Sequence, residues 1–154
     1  MKTLTQNEAL LKAIAYCSIA ERSLNDVIQK LTDWGVLHEH IEPILTHLLN
    51  ERYVDIDRFT RAYIHDRFLH DKWGRIKIAQ GLRLKGIDKQ TIEKHMTDIP
   101  EDEYCIALQE LLKKKALSVK ARNNYERNGK LIRFALSRGF EMSLICQHLH
   151  VDEE

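Results

Sequence analysis

Histidine, cysteine, serine and paired carboxylates are the side chains that most often carry catalysis or hold metals. The sequence has eight histidines and three cysteines. His38, His40 and His47 cluster early, but His38 and His40 are two apart, a spacing that sends imidazoles to different sides of a helix. His65 and His70 are five apart and also miss a common face, and no HExxH pair occurs. Cys17, Cys105 and Cys146 are widely separated, odd in number and without a CxxC pair, so they read as free, buried, reduced thiols. The six glycines, at 35, 74, 81, 86, 129 and 139, form neither a GxGxxG nor a GxxxxGK[ST] phosphate loop. Ser23, Ser118, Ser137 and Ser143 lack a nucleophile elbow. Asp55 and Asp57, two apart at a helix start, read as a cap and not as an acid–base pair. The expectation is a protein that is not an enzyme, with no metal and no cofactor.

The charged residues say more. The net charge is only +1, yet residues 1–57 hold five Lys/Arg against nine Asp/Glu, and residues 58–100 hold ten against five. Residues 101–154 balance at nine each, with the cations gathered between Lys113 and Arg138 and an acidic tip at Asp152, Glu153 and Glu154. An acidic head, a basic middle and a Lys-rich third stretch point to a polyanionic or mixed-charge partner. Specific readers of duplex DNA carry a compact recognition helix. None is evident here, so any DNA contact is expected to be to backbone phosphates.

What must position these side chains is a repeat. Gly35, Gly86 and Gly139 lie 51 and 53 residues apart. Each is followed by a hydrophobic residue (Val36, Ile87, Phe140) and, six residues on, by isoleucine (Ile41, Ile92, Ile145). Four further on come Leu45, Met96 and Leu149. Four before the glycines stand Leu31, Leu82 and Ala135; seven before, Ile28, Ala79 and Ile132; eight before, Val27, Ile78 and Leu131. Helical spacing puts these on a core-facing stripe, and glycine fits the left-handed cap that ends a helix. A further amphipathic helix precedes each pair, carrying Leu10, Ile14 and Cys17, then Phe59, Ala62 and Tyr63, then Cys105, Leu108 and Leu112. Ser23 with Asp26 predicts a capping box, and Asp102 and Glu103 after Pro100 predict an acidic first turn. His95 and His148 take the repeat position of Ile44, at the edge of the core.

The fold class expected is all-α: three tandem three-helix repeats at residues 1–55, 56–100 and 101–154, forming an elongated, curved helical array. The residues after Met1 are polar and unlike a signal peptide, and no apolar run approaches the ~20 residues that span a bilayer. A cytoplasmic location without a membrane partner is expected.

Four fragments in register with this repeat resemble the RecX family, regulatory proteins that modulate the RecA recombinase. Ala13-Ile14-Ala15-Tyr16 followed by Glu21-Arg22-Ser23 resembles A-L-x-Y…R-E-R-S. Tyr53-Val54-Asp55-Ile56-Asp57-Arg58-Phe59 resembles G-Y-L-D-D-x-R-F, with Ile56 replacing the second Asp and an acid returning at Asp57. Arg75-Ile76 with Leu82-Arg83-Leu84-Lys85-Gly86-Ile87 resembles R-I…L-R-x-K-G-I, and Leu136-Ser137-Arg138-Gly139-Phe140 resembles L-x-x-R-G-F. The resemblance implies three tandem three-helix repeats. It also implies a non-catalytic regulator that binds in the groove of the RecA filament on single-stranded DNA and suppresses its ATPase and strand exchange. The partner implied is the RecA filament, with single-stranded or duplex DNA as a further one through backbone contacts, and there is no small-molecule substrate. The contacts are expected from Arg22, Asp55, Asp57, Arg58, Arg67, Arg75, Arg83, Lys85, Arg133 and Arg138. The rival reading is a helical module that binds nucleic acid directly, without a recombinase.

Overall fold

The computed structural model describes residues 3–151, with side chains through residue 149; the acidic tip at 152–154 lies outside the described residues. The described residues form nine helices and no strand. These fall into three triplets: α1 (Gln6–Ile19), α2 (Leu24–Asp33) and α3 (His38–Asn50); α4 (Ile56–Leu69), α5 (Arg75–Leu84) and α6 (Lys89–Met96); α7 (Glu101–Ala116), α8 (Asn124–Ser137) and α9 (Met142–Val151).

Several helices start where side chains can satisfy their free backbone N–H groups, whereas α3 and α7 start without a side-chain cap. Ser23 Oγ accepts from the Asp26 N–H at 3.1 Å and the Asp26 carboxylate accepts from the Ser23 N–H at 3.0 Å, the box expected from the sequence. Thr5 and Glu8 close a second box on α1 that the sequence reading missed. Asp55 caps α4 by accepting from the Arg58 N–H at 2.9 Å. Pro100 stands at the N-cap position of α7, whose first turn holds Glu101, Asp102 and Glu103.

The three glycine turns share one geometry. Gly35, Gly86 and Gly139 have φ of +74°, +84° and +93°. In each, the N–H of the residue after glycine reaches back five residues: Val36 to Leu31, Ile87 to Leu82 and Phe140 to Ala135, at 3.0, 3.0 and 3.2 Å. This is the Schellman closure, and it drops the hydrophobic follower into the core. Val36, Ile87 and Phe140 are all buried.

Burial refines the expected stripe. The positions four and eight before glycine are buried in all three copies. The position seven before is not: Ile28 is 37% exposed, and Ala79 and Ile132 are half-buried. Residues four apart stack on one helix face, whereas the neighbour of the −8 residue lies ~100° round. In α3 the buried residues are Ile44 and Leu48, with Ile41 and Leu45 only half-buried. In α9 the repeat positions Ile145 and Leu149 are themselves buried. Within its triplet α3 is therefore turned about its axis compared with α9, bringing Ile44 inward; the same position is half-buried His148 in α9 and buried His95 in α6. The first helices also differ from expectation. α1 buries Ala9 and Ala13, while Leu10, Ile14 and Cys17 flank them. α7 buries Tyr104 along with Leu108 and Leu112, leaving Cys105 half-buried.

The chain forms two compact units. The first comprises Met1–Ala62 and Leu82–Ile92, and the second Tyr63–Gly81 and Glu93–Glu154. In the first, α1, α2 and α3 pack mutually around Val27, Leu31, Ile44 and Leu48. In the second, α7, α8 and α9 do so around Tyr104, Leu108, Leu131, Phe140 and Ile145. Each buried Leu, Ile or Phe is worth about 1.5–3 kcal/mol relative to exposure. No helix of the described residues is long and apolar enough to cross a membrane.

Candidate partner-binding surface

The ten residues singled out from the sequence divide between the two units. Most bind other parts of the same unit. In the first unit, Arg58 donates from Nε to Glu21 at 2.6 Å and from Nη2 to the Arg52 carbonyl at 3.1 Å, tying the start of α4 to the segment that joins α1 to α2. Arg22 lies over the Tyr16 ring, 3.9 Å from its centroid, and donates to the Tyr16 carbonyl. Asp57 is half-buried in the first turn of α4, beside the Asp55 cap. Lys85 pairs with Asp26 at 2.6 Å. Burial opposes ionisation of Asp26, but the Lys85 ammonium and the Ser23 donors outweigh it and hold its pKa below the ordinary carboxylate value.

In the second unit, Arg67 pairs with Asp71 and lies near the Tyr63 and Trp73 rings. Arg138 caps α8, lies 5.1 Å from the Phe134 ring centroid and donates to the Asp71 carbonyl. Arg75 stacks on Tyr104 with its guanidinium 3.8 Å from the ring centroid. It pairs with Glu141 at 2.8 Å and also with Glu101. Burial alone would lower the Arg75 pKa, but its two carboxylate partners raise it. The Tyr104 hydroxyl donates to Glu141 and accepts from the Arg75 N–H at 3.0 Å. Burial, reinforced by that bond to Glu141, raises the Tyr104 pKa. Tyr104 and Glu141 were missed because the sequence reading sought cations. Their signal is positional: Glu141, like Asp88, stands two residues after a repeat glycine, at a helix start.

These contacts build two joints of one design, each placing the N-terminus of a second helix on the glycine turn of the next triplet. At the first, Lys85 holds Asp26, and a Cβ on Gly86 would sit 2.5 Å from the Asn25 side-chain nitrogen. At the second, the Gly74 N–H donates to the Arg138 carbonyl at 2.7 Å and the Ile76 N–H to the Gly139 carbonyl at 3.0 Å. A Cβ on Gly139 would lie 2.5 Å from the Lys77 backbone nitrogen, so the backbones meet only because glycine has none. The turn at Gly35 receives no such helix, and a Cβ there would have nothing within 4 Å.

Among the ten, Arg83 and Arg133 are exposed and make no hydrogen bond or ion pair among the described residues. Arg61, Lys113 and Lys114 are likewise exposed and without an acid partner. In the first unit Lys12 lies over Trp34 and Lys30 over Tyr16, at 4.6 and 5.4 Å, and the two rings meet edge-on. The cysteines are free but half-buried, not fully buried as expected, and burial raises the Cys17 pKa. No group of three or more His, Cys, Asp or Glu among the described residues could hold a metal ion.

The three-helix repeat has counterparts in known proteins. Residues 57–96 match the family model of the second three-helix domain of RecX, and residues 101–149 that of the third. Together these matches take in more than half of the chain. The chain belongs to the RecX family. It is 28% identical to the regulatory protein RecX of Vibrio parahaemolyticus, over 99% of this chain and 94% of that one. It is 26% identical to the regulatory protein RecX of Oceanobacillus iheyensis, over 98% of this chain but only 58% of that longer relative. With the crystal structure of RecX from Lactobacillus salivarius the TM-score is 0.81 at 19% identity, covering 94% of both chains. A second RecX crystal structure gives a TM-score of 0.84 at 24% identity, covering 90% of this chain and 70% of that one. Both structural likenesses speak to the fold alone: tandem three-helix domains. The two relatives from Vibrio parahaemolyticus and Oceanobacillus iheyensis are named regulatory proteins.

Proposed function

We propose that this protein is a non-catalytic regulator that binds the RecA filament on single-stranded DNA and lowers its ATP hydrolysis and strand exchange. The observation that carries the reading is the division of labour among the cations. Arg22, Arg58, Arg75 and Arg138 of the family-like motifs are held by internal acids, carbonyls and rings, while Arg83 of one motif, and Arg61 and Arg133 outside them, stay exposed without acid partners among the described residues. Those free cations suit a phosphate backbone or an acidic protein face. On this reading the protein works in the cytoplasm, needs no cofactor, has no small-molecule substrate and does not engage a membrane. The ten residues named from the sequence then divide into joint builders, which set the geometry of the surface, and contact residues, of which Arg83 and Arg133 are the foremost.

The test is single-stranded-DNA-dependent ATP hydrolysis by the host recombinase, with and without the protein. A fall at substoichiometric protein supports the reading, and unchanged hydrolysis at stoichiometric excess sinks it. The second reading, a module that binds nucleic acid by itself, draws on the same exposed cations, which a phosphate backbone would suit. It requires tight binding to single-stranded DNA in the absence of recombinase, falling steeply as salt rises. A salt titration of binding separates the two.

A further inference from the structure

Between α7 and α8 lies a groove of about 570 Å³ whose floor is apolar and whose rim is cationic. That volume falls within the ~300–1,000 Å³ typical of ligand pockets. Ala107, Leu111 and Phe134 form the floor, and Lys72, Lys114 and Arg138 stand at the edge. Lys115 also lines it, with its ammonium 4.6 Å from the Phe134 ring centroid. Lys72, Lys114 and Lys115 have no ion pair among the described residues. Leu117, beside the groove residue Ser118, is 90% exposed, so apolar surface continues past the groove's end.

We propose that this groove binds an acidic peptide segment of a protein partner through one inserted apolar side chain flanked by carboxylates. Cations around an apolar floor recognise that combination, because the floor rewards burial of a large side chain and the rim neutralises the acids beside it. Three features favour a peptide over a nucleic-acid strand. The Phe134 ring already carries the Lys115 ammonium and the Arg138 guanidinium, so a base would have to displace two cations in order to stack. Carboxylates recruit those same cations where they stand. The rest of the floor is aliphatic, which suits a Leu or Phe side chain and gives a base no ring to stack on. Finally, Glu110 lines the groove, where its carboxylate can accept a peptide N–H, a donor that a phosphate backbone lacks. The assignment needs no recombinase, so its failure and that of the filament reading are separable.

The probe is a fluorescein-labelled octapeptide of Glu and Asp with one central Phe, followed by fluorescence anisotropy on the full chain. Replacing the Phe by Ala in the peptide weakens binding at least about tenfold, the order set by losing one buried aromatic side chain. Replacing its acids by Gln and Asn does the same. On the protein side, Lys114→Glu with Lys115→Glu weakens the Phe peptide comparably, and Leu111→Met, which keeps the floor apolar, leaves it bound. The surface substitution Lys113→Glu, outside the groove, changes binding less than about twofold. Equal binding of the Phe and Ala peptides overturns the proposal. So does binding indifferent to the Lys114/Lys115 change, and so does displacement of the peptide by short oligothymidylate that itself depends on those two lysines.

Discussion

Gly139→Ala puts the joint geometry to a quantitative test. Two costs arise at this position. Holding alanine at φ +93° costs about 1–2 kcal/mol. The new Cβ would also stand 2.5 Å from the Lys77 backbone nitrogen, so the start of α5 must back away. That retreat loosens the bonds from the Gly74 and Ile76 N–H groups to the Arg138 and Gly139 carbonyls, each worth about 0.5–1.5 kcal/mol net. The sum is about 2–5 kcal/mol. Gly35→Ala is the internal control, because its φ of +74° carries the first cost while nothing within 4 Å imposes the second. The gain from a stiffer unfolded chain is shared by both substitutions and cancels in their difference. Gly139→Ala should therefore destabilise by about 1–3 kcal/mol more than Gly35→Ala. With an m-value of about 1–3 kcal/mol/M in urea, the midpoints should separate by about 1 M. The two tryptophans make the assay local: Trp34 belongs to the first unit and Trp73 to the second. Each substitution is followed by the tryptophan of its own unit, with the other replaced by Phe. Equal losses at the two glycines would refute the claim that the Gly139 turn is a joint and not merely a turn.

The Arg75–Tyr104–Glu141 cluster should respond to Tyr104→Phe with a loss of about 1–3 kcal/mol by urea unfolding, since a buried N–H and a carboxylate both lose their hydroxyl partner. Asp26, whose pKa is depressed in the folded chain, stabilises it above the unfolded carboxylate value near ~3.9, and that contribution fades as pH falls through the folded pKa. Lys85→Met should consequently shift the acid-unfolding midpoint followed by circular dichroism to higher pH, whereas Lys113→Met leaves it in place. Arg83→Glu combined with Arg133→Glu should weaken inhibition of recombinase ATP hydrolysis by about tenfold while changing stability by no more than about 0.5 kcal/mol. Weakened inhibition with a matching loss of fold would assign both residues to structure instead. Cys17, its thiol pKa raised by burial, should alkylate at pH 8 more slowly than an unstructured peptide thiol, with mass spectrometry as the readout.

The repeat was legible because its signal is short-range. A glycine ending one helix, a hydrophobic follower and residues at helical spacing are all set within about fifteen positions, so three copies align without knowledge of tertiary contacts. What escaped is what local pattern cannot encode. The rotation of α3, the choice of Ala9 and Ala13 over Leu10 and Ile14, and the burial of Tyr104 are decided by which face a neighbour covers. The same limit applied to the charges. A count of Lys and Arg along residues 58–100 cannot tell Arg58, held by Glu21 thirty-seven positions earlier, from Arg83, held by none of the described residues.

That distinction changes what the motifs mean. Arg58, Arg75, Lys85 and Arg138 sit in the fragments that most resemble the family, and each reaches a group on another helix or connecting segment. Lys85 and Arg138 both stand immediately before a repeat glycine and both reach back toward the triplet before them, one to the Asp26 carboxylate and one to the Asp71 carbonyl. A pattern such as L-R-x-K-G-I is thus the footprint of a joint: the glycine lets the backbones meet and the cation beside it holds them there. Trp34, the residue before Gly35, has no such duty, and the turn it precedes receives no helix. A joint formed this way fixes how each glycine turn meets the helix before it. The surface offered to a partner is then set by the cations left exposed, Arg61, Arg83 and Arg133 and the Lys-rich end of α7, of which only Arg83 belongs to a motif. Substitutions in the joints should therefore act on every partner at once through stability, whereas substitutions among the free cations should separate one partner from another.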